Sequence, residues 1–141
     1  MRIPFLKIST LCAAVLIVGC QTSPTGGPGA NDAPEAPSPA NPEFTGEMAK
    51  FNAQFPNDKA TKYETESIAY NAEKKFDEKN GCHGKARNPI TIVLVLDATG
   101  KVTSSMTDVE NVKAKCFREI YAGVQFPRPP MAPYRKAILL K

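Results

Sequence analysis

The sequence predicts an α+β protein in which a small antiparallel sheet of about three strands packs against one or two helices. Residues 90–96 are an apolar, β-branched run, which is typical of a buried strand. A short glycine-containing turn follows, and a more polar strand returns at residues 101–106, so the two form a hairpin. A helical pattern separates this hairpin from a last strand at residues 135–140, which gives the order ββαβ.

The composition of the 141-residue chain changes sharply along its length. Six of its 13 prolines lie between Pro24 and Pro42, which leaves residues 44–141 to build a fold. A segment of that size supports one small core, so the sequence excludes a two-domain enzyme and a protein with several membrane spans. The single histidine, His83, also excludes any site that needs two imidazoles.

The N-terminal segment has the features of an export signal. Two cationic residues precede an apolar run at residues 11–18, which is too short to remain as a membrane-spanning helix. The run ends in Ile-Val-Gly-Cys, with Cys20 last, and this sequence resembles the bacterial lipobox. The resemblance implies that residues 1–19 are a lipoprotein signal peptide and that Cys20 carries the lipid. The alternative is an ordinary secretory signal in which Cys20 has no role.

The lipobox resemblance also implies where the protein lies in the cell. A triacylated Cys20 would hold the mature protein on a membrane, because two or more acyl chains give stable anchoring. Gln21 follows the cysteine at the position where an aspartate favours retention in the inner membrane. We therefore expect an outer-membrane lipoprotein that faces the periplasm, a compartment that excludes nucleic acid as a partner.

Residues 20–43 join the lipidated cysteine to the folded part of the chain. They are rich in proline, glycine and small polar residues, and none of their aliphatic side chains is larger than alanine. Such a segment cannot bury enough apolar surface to offset the entropy of ordering, so we expect a disordered linker. A spacer between membrane and domain and a plain disordered tail would have the same composition.

A short amphipathic segment follows at residues 44–56, where Pro56 ends the helical pattern. Its apolar residues recur at helical spacing: Phe44, Met48, Phe51 and Phe55. We expect this segment to pack on the domain; the alternative is a role facing the membrane or a partner.

The domain itself, residues 57–141, is predicted to begin with a second helix. Asn57 or Asp58 caps it, and we expect it to run to about Asn80, with Gly81 as the terminating residue. A narrow apolar stripe should cover the sheet: Thr65, Ile68, Ala69, Ala72 and Phe76.

The last helix is predicted between the hairpin and the final strand. Thr107 and Glu110 have capping-box spacing, so we expect the helix to begin there and to end at Gly123. Its core face is expected to carry five residues: Val109, Val112, Cys116, Phe117 and Ile120. The proline-containing residues 126–130 then set an extended crossing to the last strand.

Cys82 and Cys116 remain after processing, and an even pair in an oxidising compartment favours a disulfide. It would close a loop of about 35 residues and contribute ~3–4 kcal/mol in the chain-entropy model. With His83 the two cysteines offer three ligands, one fewer than a structural zinc site needs. The Cys-x-x-Cys spacing of redox and haem-attachment sites is absent. We expect no metal, and no cofactor apart from the covalent lipid on Cys20.

No catalytic motif is present in the sequence. No serine lies in a Gly-x-Ser-x-Gly elbow, and the glycines at residues 26–29 lie in the linker rather than between a strand and a helix. Asp97 and Asp108 have sufficient structural roles as turn and cap residues. We therefore expect a protein that is not an enzyme.

Residues 81–141 resemble the TonB C-terminal domain. The likeness rests on the hairpin turn Asp-Ala-Thr-Gly-Lys-Val, on the helix that carries Cys116, and on Val-Gln-Phe-Pro at residues 124–127 before the final strand. A cysteine before the first strand, here Cys82, paired with one in the helix is similar to the AgmX/PglI-type variant. The resemblance implies helices on one face of a small antiparallel sheet and a partner segment that adds a strand to the sheet.

The resemblance implies a non-enzymatic, membrane-anchored module that binds proteins of an envelope complex. It covers the binding scaffold and not energy transduction, because TonB has an N-terminal membrane-spanning helix where this chain has a lipobox. The partner-binding edge would be the last strand, formed by Arg135, Lys136, Ala137, Ile138, Leu139 and Leu140. The alternative is an assembly lipoprotein similar to a pilotin, which would use a helical face or residues 44–55. A ligand-binding domain is a third, weaker interpretation.

Overall fold

The structure is a computed structural model that describes residues 41–141. The predicted signal peptide, the lipid attachment at Cys20 and the linker up to residue 40 lie outside the described residues, and they stay predictions. In chain order the elements are α1 (Pro42–Asn52), α2 (Asp58–Lys74), a 3-10 segment (Phe76–Lys85), β1 (Ile90–Leu96), β2 (Val102–Thr107), α3 (Val112–Tyr121) and β3 (Tyr134–Leu140).

The predicted fold class is confirmed: the described residues form an α+β fold with one three-stranded antiparallel sheet in the order β2-β1-β3. Ile92 of β1 pairs with Thr107 on one side and with Ile138 on the other. Val93 and Leu94 of β1 point to opposite faces of the sheet and are both fully buried, so both faces are covered at this central strand. This position explains why the run is apolar without alternation.

The hairpin between β1 and β2 is organised by Asp97. Its Oδ1 accepts hydrogen bonds from the backbone N–H of Thr99 at 2.8 Å and of Lys101 at 3.1 Å. The Thr99 hydroxyl also donates to it, and these bonds hold the pKa of Asp97 below its ordinary value. Gly100 has φ +91°, a left-handed conformation that favours glycine.

The main core lies between one face of the sheet and the pair α2 and α3. Phe117 and Tyr121 of α3 are fully buried. From α2, the Tyr63 ring meets the Tyr134 ring edge-on at 4.7 Å, and its hydroxyl donates to the carbonyl oxygen of Pro127 at 2.7 Å. Burial raises the pKa of all three tyrosines well above the ordinary value.

The opposite face of the sheet is covered by α1. Side chains alternate between faces along a strand, so Arg135 and Val93 point away from the main core. Arg135 Nε donates to Glu47 Oε2 of α1 at 2.9 Å, and Val93 is fully buried without belonging to the main core cluster. The TonB resemblance implies helices on one face, whereas this sheet has helices on both.

The second helix is shorter than predicted. Asn57 is its N-cap, with Oδ1 accepting from the Lys59 N–H at 2.9 Å. It ends at Lys74 rather than near Asn80, because Lys75 adopts a left-handed conformation with φ 49° and ψ 43°. The chain then enters the 3-10 segment.

The predicted apolar stripe of the second helix was wrong except at Phe76, which packs partly buried against the core. The residues of α2 that are buried are Ala60, Tyr63, Ser67 and Asn71, whereas Ile68 is 57% exposed. The polar residues are accommodated because they find partners inside: the Tyr121 hydroxyl donates to Asn71 Oδ1 at 3.0 Å, and Ser67 Oγ donates to the carbonyl oxygen of Glu64.

The third helix begins later than the capping box predicted. Its N-cap is Asn111, whose Oδ1 accepts from the Ala114 N–H at 2.8 Å. Thr107 instead ends β2, and the Glu110 carboxylate accepts from the Arg118 guanidinium. Thr107 therefore belongs to the strand and Glu110 to an ion pair, so neither of the two residues caps the helix.

The core face of the third helix also differs from the prediction. Val112 is 64% exposed, while Lys113 is fully buried. Lys113 Nζ donates to the carbonyl oxygens of Asn88 at 3.1 Å and Ala86 at 3.4 Å. These two carbonyls hold the loop before β1 against the helix, which is how an ammonium group is accommodated inside the fold.

Candidate functional site

β3 lies at an edge of the sheet, with β1 on one side. In an antiparallel strand, residues alternate between backbone groups that face the paired strand and groups that face outward. The Gln54 side chain binds both the N–H and the carbonyl oxygen of Arg135, so those groups face outward. Ala137 and Leu139 stand in the same phase as Arg135, so their backbone groups also face outward, and within residues 41–141 no bond from them to a turn, loop or cap is present.

The six residues predicted for the binding edge fall into two sets. All six are in register with β1; the backbone groups of Arg135, Ala137 and Leu139 face outward, and those of Lys136, Ile138 and Leu140 face β1. Lys136 and Leu140 are buried, and Ile138 packs partly against the main core. Leu139 is 58% exposed. The surface available to a partner is therefore the backbone at Ala137 and Leu139 together with the Leu139 side chain.

Lys136 has a structural partner beneath the sheet. Its Nζ lies 2.9 Å from Glu64 Oε1 of α2, and the Tyr134 hydroxyl donates to the other carboxylate oxygen at 3.1 Å. Burial lowers the pKa of Lys136, and the neighbouring Glu64 carboxylate opposes that shift. This lysine therefore belongs to the fold and cannot contact a partner.

Arg135, near the N-terminal end of β3, connects the edge to α1. Its Nε is 2.9 Å from Glu47 Oε2, and Lys50 Nζ is 2.6 Å from Glu47 Oε1. The hydrogen bonds from Lys50 and from Arg135 hold the pKa of Glu47 below its ordinary value. Glu47 thus balances one of the two cations that it contacts, and the cluster of these three side chains carries a net positive charge.

An open cavity of about 640 Å³ adjoins the same end of the edge. Its lining includes Lys50 and Gln54, and also Met131 and Pro133, which precede β3. Arg135 itself forms part of the wall, so the cavity is continuous with the strand edge. It is too open to enclose a small molecule, but it leaves room beside the edge.

The second edge of the sheet, β2, is covered at its two ends. At one end of β2, the Val102 N–H donates to the carbonyl oxygen of Val124 at 2.9 Å. At the other end, Arg118 donates to the Thr107 hydroxyl at 3.2 Å. Both contacts come from α3 and the segment that follows it and lie at the ends of β2, while Thr103 and Ser104 between them are exposed.

Sequence reasoning missed Glu47 and Gln54, the two residues that join α1 and the turn after it to the edge. They are among the most buried residues of their segment, while Phe44, Phe51 and Phe55 of the predicted stripe are half-buried. The helical pattern of phenylalanines marks which side of α1 faces the sheet. The pattern does not indicate that the Gln54 side chain hydrogen-bonds to the backbone of Arg135, 81 positions away in the sequence.

Cys82 and Cys116 are brought together as a disulfide, with their Cα atoms 5.7 Å apart. The bond joins the 3-10 segment to α3. His83, next to it, packs edge-on against the Phe117 ring at 5.0 Å and contacts the Lys141 carbonyl oxygen through Nδ1. The cysteines and the histidine are thus all occupied by packing at one end of the domain.

Within residues 41–141, no cluster of three or more His, Cys, Asp or Glu side chains has the geometry of a metal site. No helix in the same part of the chain combines the length and apolar character that crossing a bilayer requires. Comparison with known proteins finds no matching family model, no similar curated protein and no similar solved structure.

Proposed function

We propose that this protein is a non-enzymatic lipoprotein of the outer membrane, facing the periplasm, that serves as a protein-interaction module of an envelope complex. In this proposal an extended segment of a partner adds a strand to the sheet at β3. The observation that carries it is the pair of outward-facing backbone positions, Ala137 and Leu139, beside an exposed leucine side chain.

The geometry of the edge sets the strength of such binding. Two residues offer two N–H donors and two carbonyl acceptors, and each hydrogen bond contributes about 0.5–1.5 kcal/mol net. Burying the Leu139 side chain against the partner adds about 1.5 kcal/mol or more. The sum, after the entropy of association, corresponds to weak and reversible binding, which suits a protein held near its partners by a membrane anchor.

The edge is tested by Ala137→Pro in the full-length protein. Proline removes the outward N–H of residue 137 and leaves the hydrogen bonds between β3 and β1 in place, as edge strands tolerate. A photo-crosslinking residue at Leu139 should capture a partner in the native envelope, and Ala137→Pro should reduce that yield several-fold.

Two controls keep the result interpretable. Ala137→Ser changes the side chain and keeps the N–H, so capture should survive. Ile138→Pro removes an N–H that bonds to β1, so it should unfold the domain, which circular dichroism detects. Unchanged capture with a folded Ala137→Pro variant would contradict binding at this edge.

The anchor is tested separately by Cys20→Ser. We expect it to abolish incorporation of labelled palmitate and to release the protein from the membrane fraction. Cys12→Ser is the matched control, because that cysteine lies in the predicted signal peptide. Equal labelling in both variants would overturn the lipoprotein assignment.

The second candidate is an assembly lipoprotein, similar to a pilotin, that binds through a helical face. The exposed stripe on α2 favours it: Ile68 is 57% exposed, and Thr65, Ala69 and Ala72 beside it are also exposed. A photo-crosslinker at Ile68 should capture the partner in this case, while one at Leu139 should not.

A further inference from the structure

Gln54 occupies the place that a neighbouring strand would take beside Arg135. Its Oε1 accepts from the Arg135 N–H at 2.7 Å, and its Nε2 donates to the Arg135 carbonyl oxygen at 2.9 Å. A primary amide carries the same donor and acceptor as a peptide group. The pair of bonds therefore reproduces one rung of an antiparallel ladder with a side chain.

We propose that Gln54 is a movable plug on the β3 edge, which limits a partner strand to Ala137 and Leu139 until the plug is displaced. The inference rests on the proposed function and specifies its binding surface. With the plug in place the edge offers two outward-facing residues, and with the plug released it offers three, about 13 Å from the first to the last. The occupant of the released edge is a longer extended segment of the partner protein.

The surroundings of Gln54 allow the movement that the plug requires. Gln54 lies in the turn between α1 and α2, outside both helices. It also lines the open cavity of about 640 Å³, so the displaced amide has open space beside it into which it can rotate. No helix or strand has to break for the side chain to leave Arg135.

The plug is held in place by an ion pair as well as by its own bonds. Glu47 of α1 binds Arg135 and Lys50, and this contact keeps α1 against the same end of β3. Gln54 thus binds the backbone of Arg135, and Glu47 binds the guanidinium of the same residue. A partner segment that brings a carboxylate to Arg135 would compete with Glu47 and loosen both contacts.

Backbone amide hydrogen exchange in the full-length protein tests whether the plug moves. The Arg135 amide should exchange through a local opening, at least 10-fold faster than the amides of Lys136 and Ile138, which bond to β1. In Gln54→Ala it should exchange about 10-fold faster again, approaching the rate of Ala137, because its hydrogen bond is gone.

Two variants control this measurement. Gln54→Glu keeps the acceptor for the Arg135 N–H and loses the donor, so exchange should lie between the rates of wild type and Gln54→Ala. Gln125→Ala also removes two side-chain hydrogen bonds, to the carbonyl oxygens of Thr99 and Phe126, and should leave Arg135 unchanged. Exchange of Arg135 as slow as that of Lys136 and Ile138 would mean that the plug opens only when the domain unfolds, and would overturn the proposal.

Crosslinking from Leu139 separates this inference from the proposed function. Gln54→Ala should raise the yield several-fold over wild type and over Gln125→Ala. Equal yields in the three proteins would overturn the plug and leave edge binding intact. No yield in any of them, with Arg135 still exchanging locally, would overturn edge binding and leave the plug as a cap on an unused edge.

Discussion

The buried ammonium group of Lys136 is balanced by one carboxylate, that of Glu64. Lys136 Nζ is 2.9 Å from Glu64, and Lys136 is fully buried. Glu64→Gln keeps the shape of the side chain and removes its charge, so the ammonium loses its counter-ion. We expect the free energy of unfolding to fall by about 3–5 kcal/mol, measured by urea denaturation.

An exposed ion pair on α2, the helix that carries Glu64, provides the matched control. Lys62 and Glu66 are 3.8 Å apart, and both side chains are more than half exposed. Glu66→Gln should change the free energy of unfolding by less than about 0.5 kcal/mol. If both variants lost equally little, the burial of Lys136 would not depend on Glu64.

Three carboxylates with a lowered pKa make the stability of the domain sensitive to acid: Asp97 in the hairpin, Glu47 and Glu110. Hydrogen bonds from Lys50 and Arg135 hold the pKa of Glu47 below its ordinary value, and the bond from Arg118 does the same for Glu110. A lowered folded-state pKa means that the unfolded chain binds protons first as the pH falls. The stabilisation is complete above the ordinary glutamate pKa of about 4.3 and is lost below it.

We therefore expect the thermal unfolding midpoint to fall between pH 5 and pH 3, as an order-of-magnitude window around that ordinary pKa of about 4.3. Glu47→Gln should make the fall shallower, because one of the three linked protons is removed. Scanning calorimetry at several pH values measures both slopes. Identical slopes would show that Glu47 does not carry the acid sensitivity.

At the scale of elements, the β1–β2 hairpin depends on Gly100. Its φ is +91°, and a Cβ there would meet the carbonyl oxygens of Phe126 and Pro127. Gly100→Ala should lower the free energy of unfolding by about 1–3 kcal/mol or more. Gly46→Ala is the control: it lies in α1 with open space around it, and alanine should stabilise the helix by up to about 1 kcal/mol.

The sequence predicted β1 from end to end because a β-branched run in a central strand carries its own signal. It failed where a conformation or a contact had no local signature. Lys75 ends α2 in a left-handed conformation that favours glycine, so nothing in its side chain marks the stop. Asn71 is buried because Tyr121 supplies a hydroxyl 50 positions away, which a helical pattern cannot indicate.

The candidate site was also predicted from the sequence only in part. The edge strand itself was predicted from its alternating residues and its place in the chain order. Which of its residues remain open depends on Gln54 and Glu47, whose partners are set by tertiary packing. Polar contacts between residues far apart in the chain produce no periodic pattern in the sequence.

At the scale of the whole molecule, the disulfide ties the 3-10 segment to α3 across 34 positions of sequence. Replacing both cysteines by alanine removes this restraint on the unfolded chain. We expect the free energy of unfolding to fall by about 3–4 kcal/mol, measured by denaturation of the variant. Adding a reductant to the wild-type protein should give a similar loss, and no effect of either would contradict a stabilising bond.

The two faces of the sheet are covered unequally, and this asymmetry sets an order of opening. One face is sealed by α2, α3 and a disulfide-linked segment, and the other by the 11-residue helix α1. We therefore expect opening of α1 to cost less free energy than opening of the other face. It would uncover Val93 and release Arg135 in the same step, exposing an apolar surface next to a free strand edge. The partly opened form, rather than the unfolded chain, is then the species most prone to aggregate in mild acid.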